Sequence, residues 1–376
     1  LCFIGRSHKL LNPIFPEIRT LHETIGLSPM RILFLSHAFN SLTQRLYVEL
    51  REKGHDVSVE FDVNDSVSCE AVELFQPDLI IAPFLKRAIP ESIWRDHICL
   101  VVHPGIVGDR GPSALDWAIL NGEQSWGVTV LQANAEMDAG DIWASCEFEM
   151  RAAGKGSLYR NEITEAACKA VLQAIDHFQQ AAYRPRALDY SDPEVRGVLR
   201  PLAKQPDRAI DWQLDDSESV LRKIRSADGV PGVADSLLGR RLYLYDAHPE
   251  HTLRGEAGEL IARCGTAVCR ATRDGAVWIG QLRDRQAVPP IKLPATHVLG
   301  DAVSHLPEVE AGPGTGYRDI WYEQQGGVGY LHFPFYNGAM GTQQCCRLLE
   351  AYRDACQRDT RVIVLMGGYF VYTGLK

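Results

Sequence analysis

Two side chains in the run Val101–Asp141 have the types and setting for acid–base work on a carbonyl. His103 stands in His-Pro-Gly at the end of an apolar, strand-like run. Asp138 opens the turn Asp-Ala-Gly-Asp, which Asp141 closes, after a second such run. A carboxylate within about 4–6 Å of an imidazole favours the imidazolium. An imidazolium can stabilise the oxyanion of a tetrahedral intermediate and relay protons. Taken alone, the pair reads first as a satisfied histidine at a strand end and an aspartate stabilising a turn.

The elements around the pair decide whether it can meet. From Met30 the pattern alternates strand and helix. Apolar strands are expected at 32–36, 56–61, 78–82 and 98–103, and helices at 41–53, 69–75 and 112–121, with Gly54 and Gly122 as helix stops. Strands at 127–132 and 142–150 and a long amphipathic helix at 162–182 follow. This alternation predicts an open α/β sheet of Rossmann-like type, with helices on both faces and function at the C-terminal strand ends. His103 falls at such an end.

The chain has 376 residues, enough for two or three domains. Residues 1–29 read as a leader or non-native extension, because Leu1 is not Met and Met30 immediately precedes the first strong strand. Residues 30–185 form the α/β domain, and 186–207, rich in Pro, Arg and Asp, form a linker. Residues 208–297 change to one helix and short strands broken by Gly, the pattern of a small OB-like β-barrel. A second linker, 298–316, leads to an incomplete β-α-β segment at 317–376. A net charge of −9 supplies no basic footprint for nucleic acid. The ten cysteines are scattered without Cys-x-x-Cys, which fits reduced thiols in a cytoplasmic protein. No run approaches the ~18 apolar residues of a membrane span, and no metal site is expected.

The whole run resembles the 10-formyltetrahydrofolate-dependent formyltransferases, whose signature is Asn-x-His followed by Asp-x-Gly in a later loop. His103 and Asp138 match its histidine and aspartate. The stretch Leu120-Asn121-Gly122, then Gly127-Val128-Thr129-Val130, also fits. Ala209–Trp212 (AIDW), Ile224–Gly232 (IRSADGVPG) and the strands after them look like the C-terminal domain of methionyl-tRNA formyltransferase. Val101 stands where the family has asparagine, and Gly105-Ile106-Val107-Gly108 replaces the usual Ser-Leu-Leu-Pro. These departures, with VVHPGIVGDRGPSALDW and FNSLTQRLYVELREKGH, are similar to a narrower family, the hydrogenase maturation factors HypX/HoxX. That family adds a crotonase-like (enoyl-CoA hydratase/isomerase) module. Residues 330–368 resemble its first β-α-β unit, with Asn337-Gly338-Ala339 on the loop that supplies one oxyanion N–H.

The resemblance implies catalysis by His103 and Asp138 with no amide donor at Val101. It implies folate contacts from Pro83, Phe84, Leu85, Gly105, Ile106 and Asp141, and substrate contacts from Gln44, Arg45, Arg110 and Ser113. The implied co-substrate is 10-formyltetrahydrofolate and the implied acceptor coenzyme A, on a route to CO for [NiFe]-hydrogenase. The implied partners are small molecules and the hydrogenase maturation machinery, without nucleic acid or membrane. Two alternatives stay open: formylation of an amine, on methionyl-tRNA or an amino sugar, and a non-catalytic folate-binding remnant.

Overall fold

The computed structural model of the chain describes residues 28–310 and 316–367. The expected leader thus lies almost wholly outside the described residues, as does the end of the tail. The first unit is built from β1 (Arg31–Ser36), α1 (Ser41–Glu52), β2 (Asp56–Phe61), α2 (Asp65–Phe75), β3 (Leu79–Ala82), α3 (Glu91–Trp94) and β4 (Cys99–His103). It continues through α4 (Ala114–Asn121), β5 (Ser125–Gln132), β6 (Ile142–Glu149), α5 (Lys155–Leu158), a π-helical turn (Tyr159–Ile163) and α6 (Thr164–Phe178). Its six strands lie in the order β2-β1-β3-β4-β5-β6.

The central strands read as unbroken apolar runs because both faces are covered. In β1, Ile32 and Phe34 join the core beneath α1, α4 and α6, while Leu33 and Leu35 join the core with α2 and α3. Asn40 caps α1, its side chain accepting from the Thr43 N–H at 3.0 Å. The sheet is mixed. Strands β1 to β4 are parallel, but β5 and β6 run antiparallel to their neighbours. The eight-residue α4 brings the chain back alongside β4.

The second unit holds α7 (Ser217–Ser226), β7 (Val233–Leu237), β8 (Arg240–Glu250), β9 (Leu260–Cys264), β10 (Ala267–Ala271), β11 (Ala276–Asp284), β12 (Leu293–Pro294) and α8 (Ala295–Leu299). Its antiparallel order is β7-β8-β11-β10-β9, with β12 on β11. Strand β7 carries little strand signal in its residues, because only its ends, Val233 and Leu237, are buried around Ala-Asp-Ser. Trp212 of the AIDW run stacks on Arg270 at 3.9 Å, and its indole donates to Asp235 at 2.8 Å. The tail forms β13 (Trp321–Gln325), β14 (Val328–Phe333), α9 (Thr342–Cys356) and β15 (Val362–Gly367). Strands β14 and β15 pair in parallel, as a β-α-β unit requires, and β13 adds an antiparallel edge. The cysteines of the described residues are all free, and none of the described helices is long and apolar enough to cross a membrane.

The expected linker at 186–207 is not a tether. Ile142 pairs with Arg186, and Arg110 with Leu199. Beyond it, Arg208 is buried, with Nη2 3.1 Å from Asp116 of α4 and 3.0 Å from the Ala203 carbonyl. Lys155 Nζ lies 3.1 Å from both Asp116 oxygens and 3.0 Å from the Val230 carbonyl of the second unit. Removing one partner of such a pair leaves a buried charge uncompensated. Asp116→Ala should therefore destabilise the fold by about 3 kcal/mol, read from the urea unfolding midpoint.

Glu250 supplies a pH signature. Burial pushes its carboxyl up, but the Thr252 and Leu253 N–H groups, the Trp278 indole and the Thr252 hydroxyl outweigh that and hold it at about 2. The folded value lies below the ordinary 4.5. Its contribution is therefore fully present above that pH and is lost as pH falls toward 2. Glu250→Gln should cost about 1–3 kcal/mol at pH 7. The gap between the two unfolding midpoints should narrow between pH 5 and pH 3.

Candidate active site

His103 is the last residue of β4 and is buried. The turn after it is pinned from below: the Trp126 indole donates to the Pro104 carbonyl at 2.9 Å, and the Thr129 hydroxyl to that of Gly105 at 2.8 Å. It is pinned from outside by residues 190–203. The Tyr190 hydroxyl donates to the Gly108 carbonyl at 3.0 Å, and the Gly197 N–H to that of Val107 at 3.1 Å. The Arg110 N–H donates to the Val198 carbonyl and the Arg200 N–H to that of Arg110. The Trp117 indole donates to the Pro201 carbonyl at 2.8 Å. The segment that composition marks as a linker is a strap over the histidine loop.

Asp138 arrives by an indirect route. The β4–β5 register sets His103 opposite Thr129, and Gln132 opposite Leu100 near the start of β4. The loop after β5 therefore leaves at the far end of β4 and folds back along it. Arg110 holds that fold, donating from Nε to the Met137 carbonyl at 3.1 Å and pairing with Glu136 at 2.7 Å. The Gly111 N–H donates to Asp138 Oδ2 at 3.1 Å. Asp138 takes a positive φ of 56° at the tip, and its Oδ1 lies 3.7 Å from His103 Nδ1. The expected meeting of the two residues occurs. A closer carboxylate is also present: Asp109 Oδ2 lies 2.9 Å from His103 Nε2. Asp109 sits six residues after His103, on the same turn.

His103 and Asp138 open into a cavity of about 610 Å³, inside the range of about 300–1,000 Å³ usual for small-molecule sites. Pro83, Phe84 and Leu85 of the loop after β3 line it, as do Val101, Trp94, Asn134 and Tyr159. Phe84 is fixed through its carbonyl, which accepts from the His37 N–H at 2.7 Å and the Ser36 hydroxyl at 3.2 Å. Val101, two residues before His103 on the same face of β4, presents an apolar side chain to the cavity. Tyr159 projects from the π-helical turn, a distortion frequent at functional sites. Burial pushes its phenol up to about 12, against the hydrogen bond from Asn40.

Other expected contacts are engaged elsewhere. The Ser113 hydroxyl accepts from the Ala203 N–H at 3.1 Å and is buried, so it fastens the strap. Arg110 clamps the Asp138 loop. Gly105 and Ile106 are buried in the turn rather than lining the cavity. Asp141 is exposed at the loop base. Gln44 donates to the Phe39 carbonyl at 2.8 Å, and Arg45 pairs with Glu49 at 2.6 Å on the outer face of α1. Neither faces the cavity. Helix periodicity alone does not reveal which way a polar residue near a helix start points.

A second cavity, of about 690 Å³, lies where the two units meet the tail. Arg160, Arg225, Asp228, His248, Tyr336 and Asn337 are on its walls. Tyr159 and Arg160 are neighbours on one turn and face the two cavities separately. Among the described residues no group of three or more His, Cys, Asp or Glu is arranged to hold a metal ion.

Residues 60–175 match the formyl transferase domain and residues 203–290 its C-terminal domain. The hydrogenase maturation factor HoxX of Bradyrhizobium diazoefficiens is 54% identical over 90% of this chain and 59% of its own length. A crystal structure of HypX from Aquifex aeolicus in complex with tetrahydrofolic acid superposes with a TM-score of 0.85 at 48% identity, covering 91% of this chain and 60% of that one. The methionyl-tRNA formyltransferase of a Sulfurovum species is 26% identical over 62% of this chain. The chain thus spans about 60% of the length of the HoxX and HypX relatives. It belongs to the formyl transferase family, whose two domains together match more than half of the chain, and it is similar to the HypX/HoxX hydrogenase maturation factors.

Proposed function

We propose that this chain transfers the formyl group of 10-formyltetrahydrofolate to coenzyme A, in the HypX manner, on a route to CO for [NiFe]-hydrogenase maturation. The observation that carries the reading is the cavity that joins His103 and Asp138 to the Phe84 loop. Its apolar wall at Phe84, Leu85 and Trp94 suits a flat pterin. The tetrahydrofolic acid held by the Aquifex HypX structure supports the same assignment. His103 and Asp138 are the residues assigned to catalysis, and Pro83, Phe84 and Leu85 those assigned to folate.

The chemistry asks little beyond position and charge. A formyl carbon is electrophilic, and a thiol attacks it readily once its proton has somewhere to go. With Val101 in place of asparagine, the developing oxyanion is left to His103 and backbone N–H groups. The second cavity, with Arg160 and Arg225 on its walls, suits the phosphates of coenzyme A. We further read residues 208–297 as an OB-like barrel, and β13–β15 with α9 as the start of a crotonase-like module. The protein is placed in the cytoplasm, with the hydrogenase maturation machinery as partner.

Incubation with 10-formyltetrahydrofolate and either coenzyme A or an amine tests the acceptor. Release of tetrahydrofolate with coenzyme A alone is expected. Release only with methionyl-tRNA or an amino sugar would reassign it, and folate binding without turnover would indicate a binding remnant. His103→Ala is expected to lower the rate by at least about 10²-fold while tetrahydrofolate binding, measured by calorimetry, survives. Equal turnover in variant and wild type would overturn the role of the histidine.

A further inference from the structure

The two carboxylates at His103 occupy different surroundings. Asp138 lines the cavity on the Nδ1 side of the ring. Asp109 meets Nε2, has no side-chain exposure (0%), and is not among the residues that wall the cavity. Formyl transfer by His103 and Asp138 leaves Asp109 without a task. A carboxylate is costly to strip of water unless it is paired, so its placement needs a reason.

Three features show that the pair is built. A Cβ at Gly105 would lie 2.5 Å from both Asp109 Oδ2 and His103 Nε2, so any larger residue there would wedge them apart. A Cβ at Gly197, on the strap, would lie 1.8 Å from the Asp109 backbone nitrogen. The turn itself is closed by the Asp109 N–H donating to the Ile106 carbonyl at 2.9 Å. The other oxygen, Asp109 Oδ1, is buried and has no hydrogen-bond partner among the described residues. The bonding of this carboxylate is therefore directed at the imidazole.

An ionised carboxylate accepts and cannot donate, so the neutral ring must carry its hydrogen on Nε2. Nδ1 is then the bare nitrogen, on the side of Asp138 and the cavity. We propose that Asp109 is a positioning residue that holds His103 as its Nε2–H tautomer and makes Nδ1 the proton acceptor for the attacking nucleophile. The proposal rests on the formyl-transfer reading above and gives that reaction its proton path.

The path balances without another reactant. The thiol S–H bond breaks and its proton moves to Nδ1. The S–C bond forms at the formyl carbon, and the carbonyl π pair moves to oxygen. The ring is now positive between two carboxylates, each of which stabilises it. Collapse restores the C=O bond and breaks the bond from carbon to N10, and the proton on Nδ1 passes to N10. The products are tetrahydrofolate and the formyl thioester, and the ring is neutral again. The 3.7 Å between Nδ1 and Asp138 is too long for a hydrogen bond, so Nδ1 is not committed before the nucleophile arrives.

The test uses the full chain as wild type, Asp109→Asn, Asp109→Ala and His103→Ala. Tetrahydrofolate formation with coenzyme A gives kcat and KM, calorimetry gives the Kd for tetrahydrofolate, and ¹⁵N-histidine spectra at alkaline pH give the tautomer. The His103 signals are assigned by their loss in His103→Ala. Expected in both Asp109 variants is a fall in kcat of about 10²–10⁴-fold, with KM and Kd within about threefold of wild type. The wild-type ring is expected as Nε2–H, and the variants as a mixture. Unchanged kcat in both variants, or a lowered kcat with the wild-type tautomer retained, overturns the proposal. A wild-type ring protonated on Nδ1 also overturns it, whether or not the variants fold. Wild type that turns over with neither coenzyme A nor amines refutes formyl transfer itself.

Discussion

The buried contact between His103 and Asp109 is the constraint from which the rest of the site follows. A carboxylate with no exposure, one of whose oxygens has no partner among the described residues, needs a compensating group within reach. That group sits on the last residue of β4, so the turn after the strand must curl back within six residues to bring Asp109 to it. The curl fits only because Gly105 has no side chain. Once curled, the turn exposes carbonyls at Pro104, Gly105, Val107 and Gly108, and each needs a donor. Trp126 and Thr129 serve the first two from β5, and Gly197 and Tyr190 serve the others from the strap.

The same constraint explains the architecture of the cavity. With the back of the ring occupied, what is left for chemistry is the edge that faces Asp138. The loop bearing Asp138 must then travel the length of β4, against the direction that the sheet register sets. Arg110 and the Gly111 N–H hold it there. Arg110 and Asp109 are sequence neighbours with opposite tasks. One reaches outward to fix the loop of one carboxylate, and the other reaches inward to engage the imidazole. The turn therefore sets both sides of the ring at once.

Much of this was legible in the residues. The apolar runs ending at Ala82 and His103 read as buried strands because nothing polar interrupts them. Gly54 and Gly122 read as helix stops because a positive φ is easiest there, and both adopt one. Phe84 and its neighbours are expected at the site because the family resemblance puts folate contacts on the loop after β3. What was not legible depends on direction rather than type. Ser113, Arg110, Gln44 and Arg45 are polar residues near the right elements, and nothing in their spacing says that they turn toward backbone or solvent. Asp109 lies close enough to His103 in sequence to pass for a solvated loop charge. It is covered by a strap whose Gly197, far along the chain, packs against its backbone nitrogen. Tyr159 was hidden for a similar reason, because the π-helical turn that aims it breaks the periodicity by which helices are recognised.

The strap alters what counts as a unit of this protein. Composition draws a border near residue 185, yet the donors that finish the histidine turn come from residues 190–203, and the anchor that ends the strap is Arg208. A recombination or engineering junction placed at the compositional border would separate the reactive loop from its own scaffolding. One placed after Arg208 would carry the scaffolding along. The second unit is attached through that same stretch. The bonds that hold the turn beneath His103 and those that anchor the second unit therefore lie on one stretch of chain. The connection is a tendon rather than a string.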